Sequence, residues 1–140
     1  MRKLFYTLIA ALTIQIGLAQ ASNEAKTYIN NSGIIEQIQA YKSQITPIIL
    51  EDNLENFNKE FDAVFSNYIS EFENLIDESF EAEDVKKHNE NFAANATTSQ
   101  LNPKDLVAFQ QKSGSIQEKF SLSLQEIIVK YGDPAILEQM

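Results

Sequence analysis

The sequence predicts an all-α fold, a single bundle of four to six helices that follows a cleaved export signal. Three observations carry this. Helix breakers are scarce, with four Gly and three Pro in 140 residues, which favours helix over a turn-rich β fold. Apolar residues recur at spacings of three and four along the chain, and no segment sustains strand-like alternation. Nine Phe and five Tyr can fill a core, and the length suits one domain.

The first 21 residues have the three parts of a secretory signal in order. Arg2-Lys3 is a basic start, Leu4 to Leu18 is mostly apolar, and Ala19-Gln20-Ala21 offers the small-x-small pattern that signal peptidase reads. Cleavage after Ala21 is the first choice, and Gly17-Leu18-Ala19 supports cleavage before Gln20 as the second. A membrane span needs about 20 apolar residues, and Thr7, Thr13 and Gln15 interrupt this shorter run. The expectation is an exported product, periplasmic or secreted, with no stable membrane insertion after cleavage.

Charge narrows the partners. Full-length net charge is −9; removing Arg2 and Lys3 with the signal leaves nine basic against twenty acidic residues, or −11. Such a surface repels nucleic-acid phosphates and anionic lipid heads. The chain has no Cys, so packing alone must hold it, without disulfides or thiolate metal sites.

Taken in order, Ser22 or Asn23 caps a short first helix through Ile29, and Asn30-Asn31-Ser32-Gly33 breaks it. Ile34, Ile38, Tyr41, Ile45 and Ile48 form one face of the next helix, which Pro47 kinks or ends. The clearest stripe runs from Leu54 to Ile76, a helix of about seven turns. Glu81 to Asn95 reads as a weaker helix with Val85, His88 and Phe92 on one side, and Ala96 to Gln100 as a loop. Asn102-Pro103-Lys104-Asp105 reads as a helix start, with Asn102 as cap and Pro103 in the first position. That helix is expected to stop near Ser113-Gly114-Ser115. Ser115 would cap the last helix, closed by Gly132 and Pro134.

The stretch Leu101 to Phe120, LNPKDLVAFQQKSGSIQEKF, resembles a family of bacterial exported helical domains of unknown function (number twenty fifty-nine). In that family a capped Leu-rich helix ends in Ala-Phe-Tyr, and a Gly-containing turn and a last helix follow. Leu106, Ala108, Phe109 and Gly114 carry the likeness. Gln110 departs from the family's Tyr, and Ser113 from its Pro. The resemblance implies an exported helical domain with no established activity, and it brings no site residues with it.

Candidate chemistry is sparse. His88 is the lone histidine and stands four residues after Asp84 on a helix. Two ligands do not make a structural zinc site, so the expected role is a surface contact with Asp84. The acidic pairs lack the Gly and alternating spacing of a calcium loop, and with twenty acids paired carboxylates arise by chance. Asn30 and Asn95 begin chance-level glycosylation sequons. No catalytic, cofactor-binding or metal residues are therefore assigned. Phe57, Phe61, Phe65, Tyr68 and Phe72 are core residues first, and also the candidate apolar face for a small apolar ligand, a protein partner or a homodimer seam. The leading function is a non-enzymatic envelope protein that binds through such a face. The alternatives are a small envelope hydrolase or metal-binding enzyme, and a structural or stress-response protein without ligand.

Overall fold

The computed structural model describes residues 20–139; most of the signal segment, residues 1–19, lies outside the described residues. Six helices follow in order: α1 (Asn23–Asn31), α2 (Ile34–Ile45), α3 (Leu54–Ser79), α4 (Ala82–Ala93), α5 (Leu106–Tyr131) and α6 (Pro134–Leu137). The all-α bundle expected from periodicity is what forms.

Ser22 starts α1, its Oγ accepting from the Ala25 N–H at 3.1 Å. Ala25 and Ile29, four apart, are the buried line of α1. The expected break falls at Gly33, whose φ of +75° is left-handed and suits glycine. In α2, Ile38 and Ile45 are buried while Tyr41, at the edge of that face, is exposed. Pro47 stops the helix by entering a 3-10 turn over Thr46–Ile48.

Beyond that turn Ile49 is extended, so it points inward where the helical pattern had placed Ile48. Ile49 bridges to Gly132 in antiparallel fashion. The Leu50 N–H donates to the Tyr131 carbonyl, and the Asp133 N–H to the Ile48 carbonyl. The segment before α3 therefore holds the C-terminal end of α5. Gly132 is required there, because a Cβ would lie 2.6 Å from the Ile128 carbonyl oxygen.

Helix α3, 26 residues and about 39 Å long, is the spine. Phe57 and Phe61 are both 0% exposed, and each fully buried ring contributes about 1.5–3 kcal/mol. Helix α1 packs on α3 and α4, and α5 runs along α3. Ion pairs fix the direction of α5: Lys112 meets Glu78, Lys119 meets Glu71, and Lys130 meets Glu60. Numbers rise on one helix as they fall on the other, so the pair is antiparallel.

Three local expectations are corrected. The helix expected to stop near Gly114 continues: α5 is unbroken from Leu106 to Tyr131. Phe109, Ile116, Phe120, Leu124, Ile127 and Tyr131 keep one phase against the core on both sides of Gly114. That packing outweighs the cost of a mid-helix glycine, about 1 kcal/mol. The start also moves, since Asp105 rather than Asn102 is the cap, with Oδ1 accepting from the Ala108 N–H at 3.0 Å. The Lys104 N–H is taken by the Ser79 carbonyl at 2.8 Å, which holds residues 102–104 outside the helix. On α4 the buried line is Val85 and Asn89, while Phe92 is left 47% exposed. Asn89 faces Glu24 in the first turn of α1, donating to its carbonyl and its carboxylate at 2.9 Å each. Among the described helices none is long and apolar enough to cross a membrane.

Candidate functional site

The stripe singled out in the sequence is mostly closed by its own chain. Phe57, Phe61, Tyr68 and Phe72 are buried, and Phe65 is half-buried. Phe120 of α5 stacks on Tyr68 with ring centroids 4.2 Å apart, and Phe72 meets Tyr68 edge-on at 4.9 Å. The aromatic face of α3 therefore serves as core, and open apolar surface has to be sought elsewhere.

One such place is the groove between α3 and α5. Leu75 and Ile116 line it together with the ion pairs Lys112–Glu78 and Lys119–Glu71, in a volume of about 470 Å³. It is shallow and open to water, where such pairs add little.

A better-shaped cleft of about 410 Å³ lies where α1, α4, the end of α3 and the start of α5 converge. Tyr28, Phe80 and Phe109 supply its aromatic walls, and Leu101, Pro103 and Leu106 its aliphatic ones. Phe80 and Phe109 pack edge-to-face at 5.2 Å, an arrangement favoured by the ring quadrupoles. Its polar side chains are His88 and Gln100. The lining is thus mostly apolar with a few placed polar groups, as ligand pockets are.

His88 is positioned from two sides. Its ring lies 5.2 Å from that of Tyr28, and its Nδ1 is 3.1 Å from the Ser99 carbonyl oxygen. A carbonyl only accepts, so Nδ1 carries the proton and donates, leaving Nε2 of the neutral ring with its lone pair. The surface contact with Asp84 expected from spacing is replaced by this link to the loop. Burial raises the Tyr28 phenol above its ordinary pKa. A smaller polar recess of about 230 Å³ shares His88, Gln100 and Leu101 with the cleft and adds Asp84, Lys87 and Asn91.

No family model, curated protein or solved structure matches this chain. The functional reading therefore rests on the geometry. Of the motif residues, Leu106 and Phe109 line the cleft, whereas Gly114 sits within α5 with open space around it. Tyr28, Phe80 and Leu101 had drawn no functional reading from the sequence. Tyr28 lies in a short helix read for its caps, and Phe80 and Leu101 sit at chain turns where periodicity is silent. Loop closure brings them together, and a period count along one helix does not register it.

Beneath the cleft's neighbourhood, Asn89 is 6% exposed, and its Oδ1 is buried without a hydrogen-bond partner. Its amide nitrogen ties α4 to α1, so this side chain sets the register of the two helices that carry His88 and Tyr28.

Proposed function

We propose that this chain is an exported, non-enzymatic helical protein of the cell envelope that binds a small apolar ligand in the cleft between α1, α4 and the start of α5. The carrying observation is the convergence of three aromatic rings, Tyr28, Phe80 and Phe109, around a volume with His88 and Gln100 as its polar side chains. The binding surface is thus moved from the α3 stripe, which is core, to a cleft that uses Leu106 and Phe109. The export half of the reading is supported by the order of basic, apolar and small-residue segments in the first 21 residues. A ring-sized ligand would displace water from apolar walls and present a donor to the His88 Nε2.

The test is titration of the purified protein with an apolar fluorophore and a panel of small aromatic compounds. Leu101→Trp, which fills the cleft, should abolish saturable uptake with the fold retained by circular dichroism. Phe92→Ala, on the exposed side of α4, should leave uptake unchanged. Uptake that survives Leu101→Trp would sink the cleft as the site.

A protein partner, or a second copy of the chain, is the competing reading. Val107, Leu122 and Val129 favour it, because they are exposed and lie on the side of α5 opposite its buried stripe. Val129→Asp would then abolish association measured by sedimentation while sparing fluorophore uptake.

A further inference from the structure

The first residues of the fold bear on where the leader is removed, an inference that rests on the export reading above. Ala21 is 9% exposed and belongs to the core beside Ala25 and Ile29. Ser22 is held twice by one carboxylate of α3: its N–H donates to Asp77 Oδ2 at 2.6 Å and its Oγ–H to Asp77 Oδ1 at 2.5 Å. The same Oγ accepts from the Ala25 N–H and so caps α1. Gln20, one residue earlier, is exposed. The clamp thus begins at Ala21 and leaves Gln20 outside it.

Two peptide bonds satisfy the small-x-small requirement, Ala19–Gln20 and Ala21–Ser22. A peptidase must draw the residues on both sides of the bond into its own cleft. For the second bond this would pull Ala21 out of the core and strip Ser22 from Asp77. It would also remove from the finished protein a methyl group that the core encloses. For the first bond, the residue after the cut is exposed and the clamp stays intact.

We propose that the leader is cut between Ala19 and Gln20, so that Gln20 becomes the first residue and Ala21 remains as the N-terminal plug of the core. Water adds across the Ala19–Gln20 bond; the C–N bond breaks, Ala19 departs as the carboxylate and Gln20 keeps the amine. That amine can close on its own side-chain carboxamide carbon, with ammonia leaving and a five-membered lactam forming.

The experiment expresses the full chain with its own leader in an exporting bacterial host and measures the intact mass of the exported product. A product that begins at Gln20, as the open amine or as the lactam, is the expected result. One that begins at Ser22 overturns this proposal and leaves export standing. An uncut chain overturns the export reading and this proposal with it. Ala21→Lys, followed by mass in denatured extract so that folding does not matter, gives the second readout. Cutting before Gln20 should continue in that variant, whereas complete loss of processing would place the cut after Ala21 and overturn the proposal.

Discussion

The Tyr131 hydroxyl donates to Glu60 Oε1 at 2.7 Å, joining the end of α5 to the first half of α3. Lys130 reaches the same oxygen at 2.6 Å. The Lys130 hydrogen bond, then the Tyr131 one, holds the Glu60 carboxyl below its ordinary pKa, and the same contacts push Lys130 up to about 12. Both charged groups are open to water, so the effect is read as a direction.

A carboxyl whose folded pKa is lowered contributes stability above its unfolded pKa, which is lost as pH falls through the folded value. Glu60→Gln should therefore melt below wild type at pH 7, and the gap should close near pH 3, under the ordinary carboxylate range of about 4. Glu73 has the opposite sign: burial, with the Asp77 charge adding and Lys26 opposing, raises its pKa. Its contribution is full below the unfolded pKa and is lost as pH rises through the folded one. Glu73→Gln should thus melt above wild type at pH 7 and level with it near pH 3. Thermal melts of both variants at the two pH values check this, and gaps that do not change with pH would refute it.

Core and surface aromatics should separate cleanly. Phe61 is fully buried, meets Phe57 at 5.7 Å, and carries Lys42 Nζ 5.0 Å above its ring. Phe61→Ala should cost about 3–5 kcal/mol in a denaturant titration, by lost transfer energy and the cavity left behind. Phe92→Ala, on an exposed ring, should stay within about 0.5 kcal/mol of wild type. Equal losses would mean that α4 packs by its Phe92 side after all.

How far the fold could be read from sequence depended on the length of each signal. Leu54 to Ile76 was legible because many apolar residues hold one phase over seven turns, and a glycine or proline interrupts none of them. Ser22 and Gly33 were legible because cap and left-handed positions have strong residue preferences. The cleft was not, since Tyr28, Phe80, His88 and Leu101 come from four separate segments that only loop closure brings together. The buried role of Asn89 was hidden too, because an amide on a polar helix reads as solvated until Glu24 is seen across from it. The aromatic face was found correctly as a face, but a sequence does not say whether its own chain will cover it, and here Phe120 does.

The start of α5 tests one of those local misreadings. Asn102-Pro103 has the residue types of a cap and first turn, yet the Ser79 carbonyl captures the Lys104 N–H first. Asp105→Ala should remove the bond to the Ala108 N–H and cost about 0.5–2 kcal/mol by chemical denaturation. Asn102→Ala should fall within about 0.5 kcal/mol of wild type. A larger loss at Asn102 than at Asp105 would return the cap to the earlier position.

The two glycines of α5 give opposite predictions from one substitution. Gly114 lies inside the helix, and a Cβ there meets no atom within 4 Å. Gly114→Ala removes backbone freedom from the unfolded chain and adds nothing that clashes, so it should stabilise by about 0.4–1 kcal/mol. Gly132 follows the last turn, where a Cβ would lie 2.6 Å from the Ile128 carbonyl and 2.9 Å from Leu137 Cδ1. The carbonyl belongs to the hydrogen bond that receives the Gly132 N–H at 2.7 Å, and Ile49 bridges to the same residue, so neither side can yield cheaply. Gly132→Ala should therefore destabilise by about 1–3 kcal/mol, the cost of overpacking a filled site. Urea titrations of both variants decide the matter. A loss of stability in Gly114→Ala would mean that α5 bends at that residue in solution, and would restore the turn that the Ser113-Gly114-Ser115 spacing first suggested.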